Sequence, residues 1–325
     1  MAVDNFSCTH RTGVLLNPDS GRLKKSGEKI SRLAKALPGS TYREINGAEE
    51  ARLVLSEFAA GGINILVVVA GDGTFHLVLS ILLSQKMFKK MPVLVLIPAG
   101  TTNMTSRDFG TPGDPLTALK RLGESLSGKS VPVIHTKAVL RVSHKGNATV
   151  YGMFYGTGLI AEGVESFGRH GKGKGLTGEK ASAFTFVRYL IKLLVSSPAG
   201  DEPLLRTDIA VNGGDPSVEP RLLTLISTLD RLLFGLKPYW GNGEFPMHLT
   251  ILRQGPAKLL LRVLPVLFGR GKQIPKEGYF SENVSAVEMH FDGNYVVDGE
   301  LYPALREQGA VCISADEQIE IMKLA

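Results

Sequence analysis

Residues 63–69 read Ile-Asn-Ile-Leu-Val-Val-Val and run directly into Ala70-Gly71-Asp72-Gly73-Thr74. A run that short and that apolar reads as a strand buried on both faces, the mark of a parallel sheet covered by helices. The glycines after it end the strand and permit backbone conformations closed to other residues. A second run, Pro92–Ile97, passes in the same way into Pro98-Ala99-Gly100-Thr101-Thr102-Asn103. Gly13–Leu16 is a shorter strand candidate. Helical spacing recurs at Ile30, Leu33, Ala34 and Leu37, at Ala51, Val54, Leu55 and Phe58, and at Phe75, Val78, Leu79 and Leu82. Such alternation predicts a parallel α/β sheet with crossover helices.

The pattern changes after Gly128. Lys137–Ser143 and Ala148–Tyr155 flank Lys145-Gly146-Asn147, a hairpin signal. Further strands are expected at Asp208–Asn212, Met247–Leu252, Val284–Phe291, Tyr295–Asp298 and Val311–Ser314. Helical stretches are expected near Ala181–Ser197, Arg221–Leu233 and Pro256–Phe268. The second half therefore reads as mostly antiparallel β.

Of the 325 residues, 43% are apolar and 21% charged, which suits a globular enzyme and argues against disorder. Cys8 and Cys312 are the only cysteines, so a disulfide framework is not expected and a reducing compartment is. The opening MAVDNFSCTHRTG carries no basic-then-apolar leader pattern. No stretch reaches the ~18 apolar residues of a membrane span. A cytoplasmic protein is expected, peripheral at the inner face of a membrane at most. The net charge of +6 suits an anionic membrane surface, a nucleotide or a nucleic acid, and equally suits simple solubility.

Residues 70–74 sit where α/β proteins bind ligands, at the C-terminal edge of a parallel sheet. Thr74 is expected to cap the following helix, leaving N–H groups for an anion. A carboxylate at Asp72 would repel phosphate, so it makes sense beside Mg²⁺ or as partner to an incoming hydroxyl. The bland alternative is a tight turn with a capping Asp. In the second loop, Arg107 lies one helical turn beyond Asn103, so Thr101, Thr102, Asn103 and Arg107 can face one mouth as a polyphosphate or ribose cradle. An ordinary N-cap is the competing reading. Asn17-Pro18-Asp19-Ser20-Gly21 and Asp298-Gly299-Glu300 each follow a strand and are individually common turns, and Pro303 is expected to keep the strand from simply continuing after the second.

Together these four elements, LLNPDSG (15–21), VVVAGDGTFH (67–76), PAGTTNMTSRDFG (98–110) and VVDGE (296–300), resemble the diacylglycerol kinase catalytic family in order and spacing. That family includes the diacylglycerol, sphingosine and ceramide kinases and bacterial lipid kinases. The resemblance implies an α/β ATP-binding domain over residues 1–128, completed by 305–325, and an antiparallel β-sandwich lipid-substrate domain over 129–304. It implies ATP and Mg²⁺ as cofactors and a lipid hydroxyl as acceptor. By the same resemblance Asn17, Ser20, Gly21, Ala70, Gly71, Asp72, Gly73, Thr74, Phe75, His76, Thr101, Thr102, Asn103 and Arg107 line the nucleotide site, with Asn46 a further candidate. Glu300 matches the proton acceptor, and Asp72 matches the acidic residue that other branches treat as catalytic or metal-linked. Asp298 accompanies them, and the choice of base between Asp72 and Glu300 stays open.

Several positions depart from the family pattern. Ala70 replaces the first glycine of GGDGT. Leu77 and then Ser80-Ile81 stand where most members have an acidic residue and Asn-Gly. Ile160 occupies an Asp position. Asn242, before Gly243, stands where bacterial members carry the Asp of a structural magnesium site. Partners expected are the lipid substrate and a peripheral membrane contact, not nucleic acid, and a homodimer is compatible with this reading. Gly168–Gly175 reads as a mobile basic loop, a solvated linker or a contact for lipid phosphates. The stretch 256–272, with Lys258, Arg262, Arg270 and Lys272, reads as core or as a membrane-surface helix. The rivals are an NAD kinase-like enzyme, which shares a Gly-Asp-Gly turn, and a lipid-binding pseudokinase.

Overall fold

The computed structural model describes residues 10–171, 205–232, 235–253 and 279–324. The expected helices at 181–197 and 256–268, and the basic residues Lys258, Arg262, Arg270 and Lys272, lie outside the described residues. The chain divides into two compact units, Met1–Lys137 with Gln318–Ala325, and Ala138–Glu317.

In the first unit β1 (Thr12–Leu16), β2 (Ser40–Glu44), β3 (Ile65–Ala70) and β4 (Val93–Pro98) pair in parallel in the order β2-β1-β3-β4. The end of β15 (Val311–Lys323) adds a further parallel neighbour, with Ile321 beside Leu94. Between the strands run α1 (Leu23–Lys35), α2 (Ala48–Ala60) and α3 (Asp72–Gln85), and after β4 come α4 (Met104–Asp108) and α5 (Pro115–Leu126). Alternate strand residues bury to opposite faces. Val14, Leu16, Val67, Val69, Val95 and Ile97 join the apolar faces of α1 and α5. Leu15, Leu66, Val68, Leu94 and Leu96 are equally buried on the other face. A Cβ on Gly13 would meet the Phe58 ring at 2.7 Å, so the missing side chain lets α2 seat on β1. The strand β2, with the polar sequence Ser-Thr-Tyr-Arg-Glu, is an edge strand that apolar patterning does not reveal.

The second unit is antiparallel. Its ladder runs β14 (Glu300–Ala304), β13 (Gly293–Val297), β7 (Phe154–Gly158), β9 (Ser217–Ser227), β8 (Leu205–Val211), β12 (Ala286–His290) and the start of β15. β10 (Met247–Arg253) pairs with β9 and with β11 (Tyr279–Val284). β5 (Val133–Ser143) and β6 (Val150–Gly152) form the expected hairpin. α6 (Leu159–Gly171) follows β7. Its end takes in residues 168–171 of the segment expected to be a loop, and 172–175 lie outside the described residues.

Three expectations are corrected. The helix expected over Arg221–Leu233 is not formed in its described residues, 221–232: the first seven finish β9 and are all buried. A continuous apolar run serves a two-sided strand as well as a buried helix, and periodicity does not separate them. The single strand expected over 284–291 is two, broken at Ser285, where the Asn212 side-chain oxygen accepts from the Ser285 N–H and hydroxyl and from the Ala286 N–H. Pro303 does not end its strand. It lies within β14, the outermost of the ladder, where an unpaired edge tolerates a residue with no N–H.

The division of the core gives a direct test. Leu249 is fully buried in the second unit and Leu53 is 72% exposed on α2. Leu249→Ala should lower unfolding free energy by about 2–5 kcal/mol in urea titrations, whereas Leu53→Ala should stay within about 0.5 kcal/mol of wild type. Equal shifts would contradict this core.

Candidate functional site

The parallel strand order reverses direction between β1 and β3, so the loops after these strands part at the C-terminal edge of the sheet. Ligands in open α/β sheets bind at this crevice. The turn after β3 is very tightly held. A Cβ on Gly100 would lie 2.4 Å from the Gly71 Cα, so the two loops touch backbone to backbone. The Ala99 N–H donates to the Ala70 carbonyl at 2.9 Å. The loop after β1 joins them. The Asn17 amide donates to Val69 O, the Arg22 amide donates to Ala99 O, and a Cβ on Gly21 would meet Thr101 Oγ1 at 2.9 Å. Asn17 Nδ2 donates to Thr74 Oγ1 at 2.8 Å, and Asn17 Oδ1 accepts the Asp19 amide at 2.9 Å.

Thr74 does not cap α3. The helix starts at Asp72 with Gly71 as N-cap and no side-chain cap. Thr74 is already inside the first turn, where its hydroxyl meets Asn17 instead. The first helical bond is Phe75 N to Gly71 O, so the amides of Gly73 and Thr74 lie ahead of the helical ladder at the positive end of a fourteen-residue helix.

Asp72 turns toward the other loop. Its Oδ2 accepts from Thr102 Oγ1 at 2.6 Å and from the Met104 amide at 3.0 Å, and its Oδ1 accepts from the Thr105 amide at 3.2 Å. Asn103 is buried in a left-handed conformation with φ of 50°. Its side chain closes on Gly100, accepting from Gly100 N at 2.9 Å and donating to Gly100 O at 2.8 Å. Ser20, Ala70, Phe75 and His76 are also buried, and they form the floor of the loops more than their surface. Gly73, Thr101 and Arg107 are exposed. Asn46 is exposed beyond β2 at the same edge, its amide held by Glu50 Oε2 at 2.7 Å.

Among the described residues, no group of three or more His, Cys, Asp or Glu side chains is arranged to hold a metal ion. Asn242 is exposed, and the Gly243 carbonyl beside it accepts from Asn283 Nδ2. Ile160 is buried against Leu159, Leu223, Leu225 and Leu252. Gly156 makes room for it, since a Cβ there would meet Ile160 Cγ2 at 2.5 Å. The departure at this position is therefore packed into the second unit.

Glu300 and Asp298 belong to the second unit. Val297 pairs with Glu300 across a two-residue Asp298-Gly299 turn, with φ of 48° and 95°. Positive φ at both positions is the type I′ hairpin turn favoured by Asp-Gly. The Asp298 carboxylate accepts from the Met153 amide at 3.1 Å and the Phe154 amide at 2.9 Å, and its own amide donates to Phe154 O. Asp298 thus fixes the turn, and the exposed Glu300 starts β14. Two residues on, Tyr302 stacks on Tyr295 at 5.4 Å.

Residues 11–133 match the family model for the diacylglycerol kinase catalytic domain. The matched segment contains all three interlocked loops. A crystal structure described as a diacylglycerol kinase from Bacillus anthracis str. Sterne matches with a TM-score of 0.65 at 16% identity, over 97% of this chain and 97% of that one. A second from the same organism, given that description provisionally, matches with a TM-score of 0.67 at the same identity and coverage. At that identity the likeness is one of fold, and it extends beyond the catalytic domain through the antiparallel strands. No curated protein matches the chain.

Sequence reading did not find the amides of Met104 and Thr105 as partners of Asp72, or those of Met153 and Phe154 as partners of Asp298. Both carboxylates bind backbone far away in sequence, and backbone carries no residue signal.

Tyr302 reports on Glu300. Burial pushes the Tyr302 hydroxyl up to about 12, and the Glu300 charge adds to the rise. The fold favours the protonated phenol, so its contribution is complete below the unfolded value of about 10 and is lost as pH rises through about 12. Ultraviolet titration of wild type against Tyr302→Phe should assign to Tyr302 a phenolate forming near that upper value, and Glu300→Gln should lower it. A Tyr302 that ionises like a solvated tyrosine would contradict this placement.

Proposed function

We propose that this protein is an ATP-dependent lipid kinase that transfers the γ-phosphate to a lipid hydroxyl, as of diacylglycerol or a sphingoid base. The observation that carries this reading is the coincidence of the family match with a preorganised glycine turn at the switch point of a parallel sheet. The residues present fit a nucleotide: the Gly73 and Thr74 amides, ahead of the α3 ladder, can donate to a phosphate, Thr101 offers a hydroxyl, and Arg107 a guanidinium. ATP supplies the phosphoryl group. Asn17 orients Thr74, and Asn103 shapes the loop that carries Thr101.

The described residues do not fit a resident magnesium, because the Asp72 carboxylate is engaged by three donors and Asn242 carries no charge. Magnesium enters with the nucleotide in this reading. Glu300 accepts the proton of the lipid hydroxyl as its oxygen attacks, and Asp298 holds the turn that presents Glu300. The lipid is met at a membrane surface by peripheral contact. Among the described residues no helix is long and apolar enough to cross a membrane.

Radiolabelled ATP with short-chain diacylglycerol, with sphingosine and with NAD, followed by product identification, tests the assignment. Label in a lipid is expected. Label in NAD alone would establish the small-molecule kinase reading, and turnover of none, including a total lipid extract, would establish the pseudokinase reading that Leu77, Ile160 and Asn242 motivate. Glu300→Gln should lower kcat by roughly 10²–10⁴ with ATP affinity nearly unchanged. Loss of ATP affinity with kcat retained would make Glu300 a nucleotide or metal ligand instead.

A further inference from the structure

We propose that Asp72 is a positioning residue: its carboxylate caps α4 from another loop, and it serves neither as the base nor as a metal ligand. The role rests on the reading of these loops as a nucleotide site. α4 has only five residues, too few to be stable by itself. Its own N-cap, Asn103, gives it no side-chain cap, because that side chain is turned back onto Gly100. The amides that open α4, Met104 and Thr105, find their acceptor in Asp72, thirty residues earlier in the chain. Buried backbone donors left without an acceptor are costly, and Thr105 is 2% exposed.

The occupancy of the oxygens argues against other roles. Oδ2 takes two donors, Thr102 Oγ1 and Met104 N, which uses both its lone pairs, and Oδ1 takes a third. A divalent cation on Oδ2 would have to displace two charge-assisted hydrogen bonds. A base needs a lone pair directed at the substrate hydroxyl, and at Oδ2 both are directed at the α4 loop. Asp72 also opens α3, so one carboxylate sits at the positive ends of two helices and holds the loop bearing Thr101 against the turn bearing Gly73.

The roles separate in three variants, Asp72→Asn, Asp72→Ala and Thr102→Val, and the double variant Asp72→Ala with Thr102→Val. In protein without nucleotide, hydrogen exchange at the Met104 and Thr105 amides should speed up by roughly tenfold in Asp72→Ala. Unchanged protection there would overturn the capping. The dissociation constant of ADP, measured without metal, should rise about tenfold or more in Asp72→Ala, with Asp72→Asn between it and wild type, since an amide oxygen still caps. Thr102→Val should shift it the same way, and the double variant should add little to Asp72→Ala. Equal kcat losses of roughly 10²–10⁴ in Asp72→Asn and Asp72→Ala, with ADP affinity intact, would make Asp72 the base. An affinity defect present only with magnesium would make it a metal ligand. Wild-type protein that binds no ADP would sink the nucleotide reading, while the exchange measurement would still decide whether Asp72 caps α4.

Discussion

The contact of Gly71 with Gly100 governs the first unit. Any side chain at either position would drive the β3–α3 and β4–α4 loops apart, because the opposing atoms are backbone and have nowhere to move. With the glycines in place, Ala99 bonds to Ala70, Asp72 reaches the amides of α4, and the loop after β1 closes over both through Arg22 and Asn17. Three loops that belong to separate crossover units become one rigid edge. A ligand binding there loses less affinity to loop ordering than it would against independent loops.

The second unit uses the same device once more. Asp298 is a carboxylate committed to backbone amides, and its binding to Met153 and Phe154 locks a left-handed Asp-Gly turn between β13 and β14. Gly152 is part of that lock, since a Cβ there would fall 2.5 Å from Asp298 Oδ2. Of the acidic residues singled out for chemistry, two anchor backbone, and Glu300 projects from an anchored turn.

How far the sequence could be read follows from the range of each interaction. β3 and β4 were legible because both faces are buried and almost every residue is apolar. The loops were legible because glycine and hydroxyl residues mark them. β2 was not, since an edge strand needs no apolar code, and β9 was read as a helix, since a strand buried on both sides has no alternation. β15 is thirteen residues long where four were expected, because Asp316, Glu317 and Gln318 interrupt its apolar pattern without interrupting its backbone. Asp72, Asn103 and Thr74 stand out in the sequence by residue type and spacing, but their partners were not legible. Asp72 chooses between chemistry and capping by where residues 102–105 come to lie, and only the fold specifies that.

The course of β15 has a bearing on how the protein comes to be assembled. Its beginning pairs with β12 in one unit and its end lies beside β4 in the other, with Leu94 and Ile321 more than two hundred residues apart in the chain. As the chain emerges from the ribosome, β4 has its β3 neighbour early and must wait for its second one until the other unit has been synthesised. Until then a fully apolar strand, Val93–Ile97, is a sheet edge without its cover. Long-range closure of that kind is slow and leaves a sticky intermediate open to misassociation. Nascent chains shortened before residue 318 should therefore be the ones that chaperones hold.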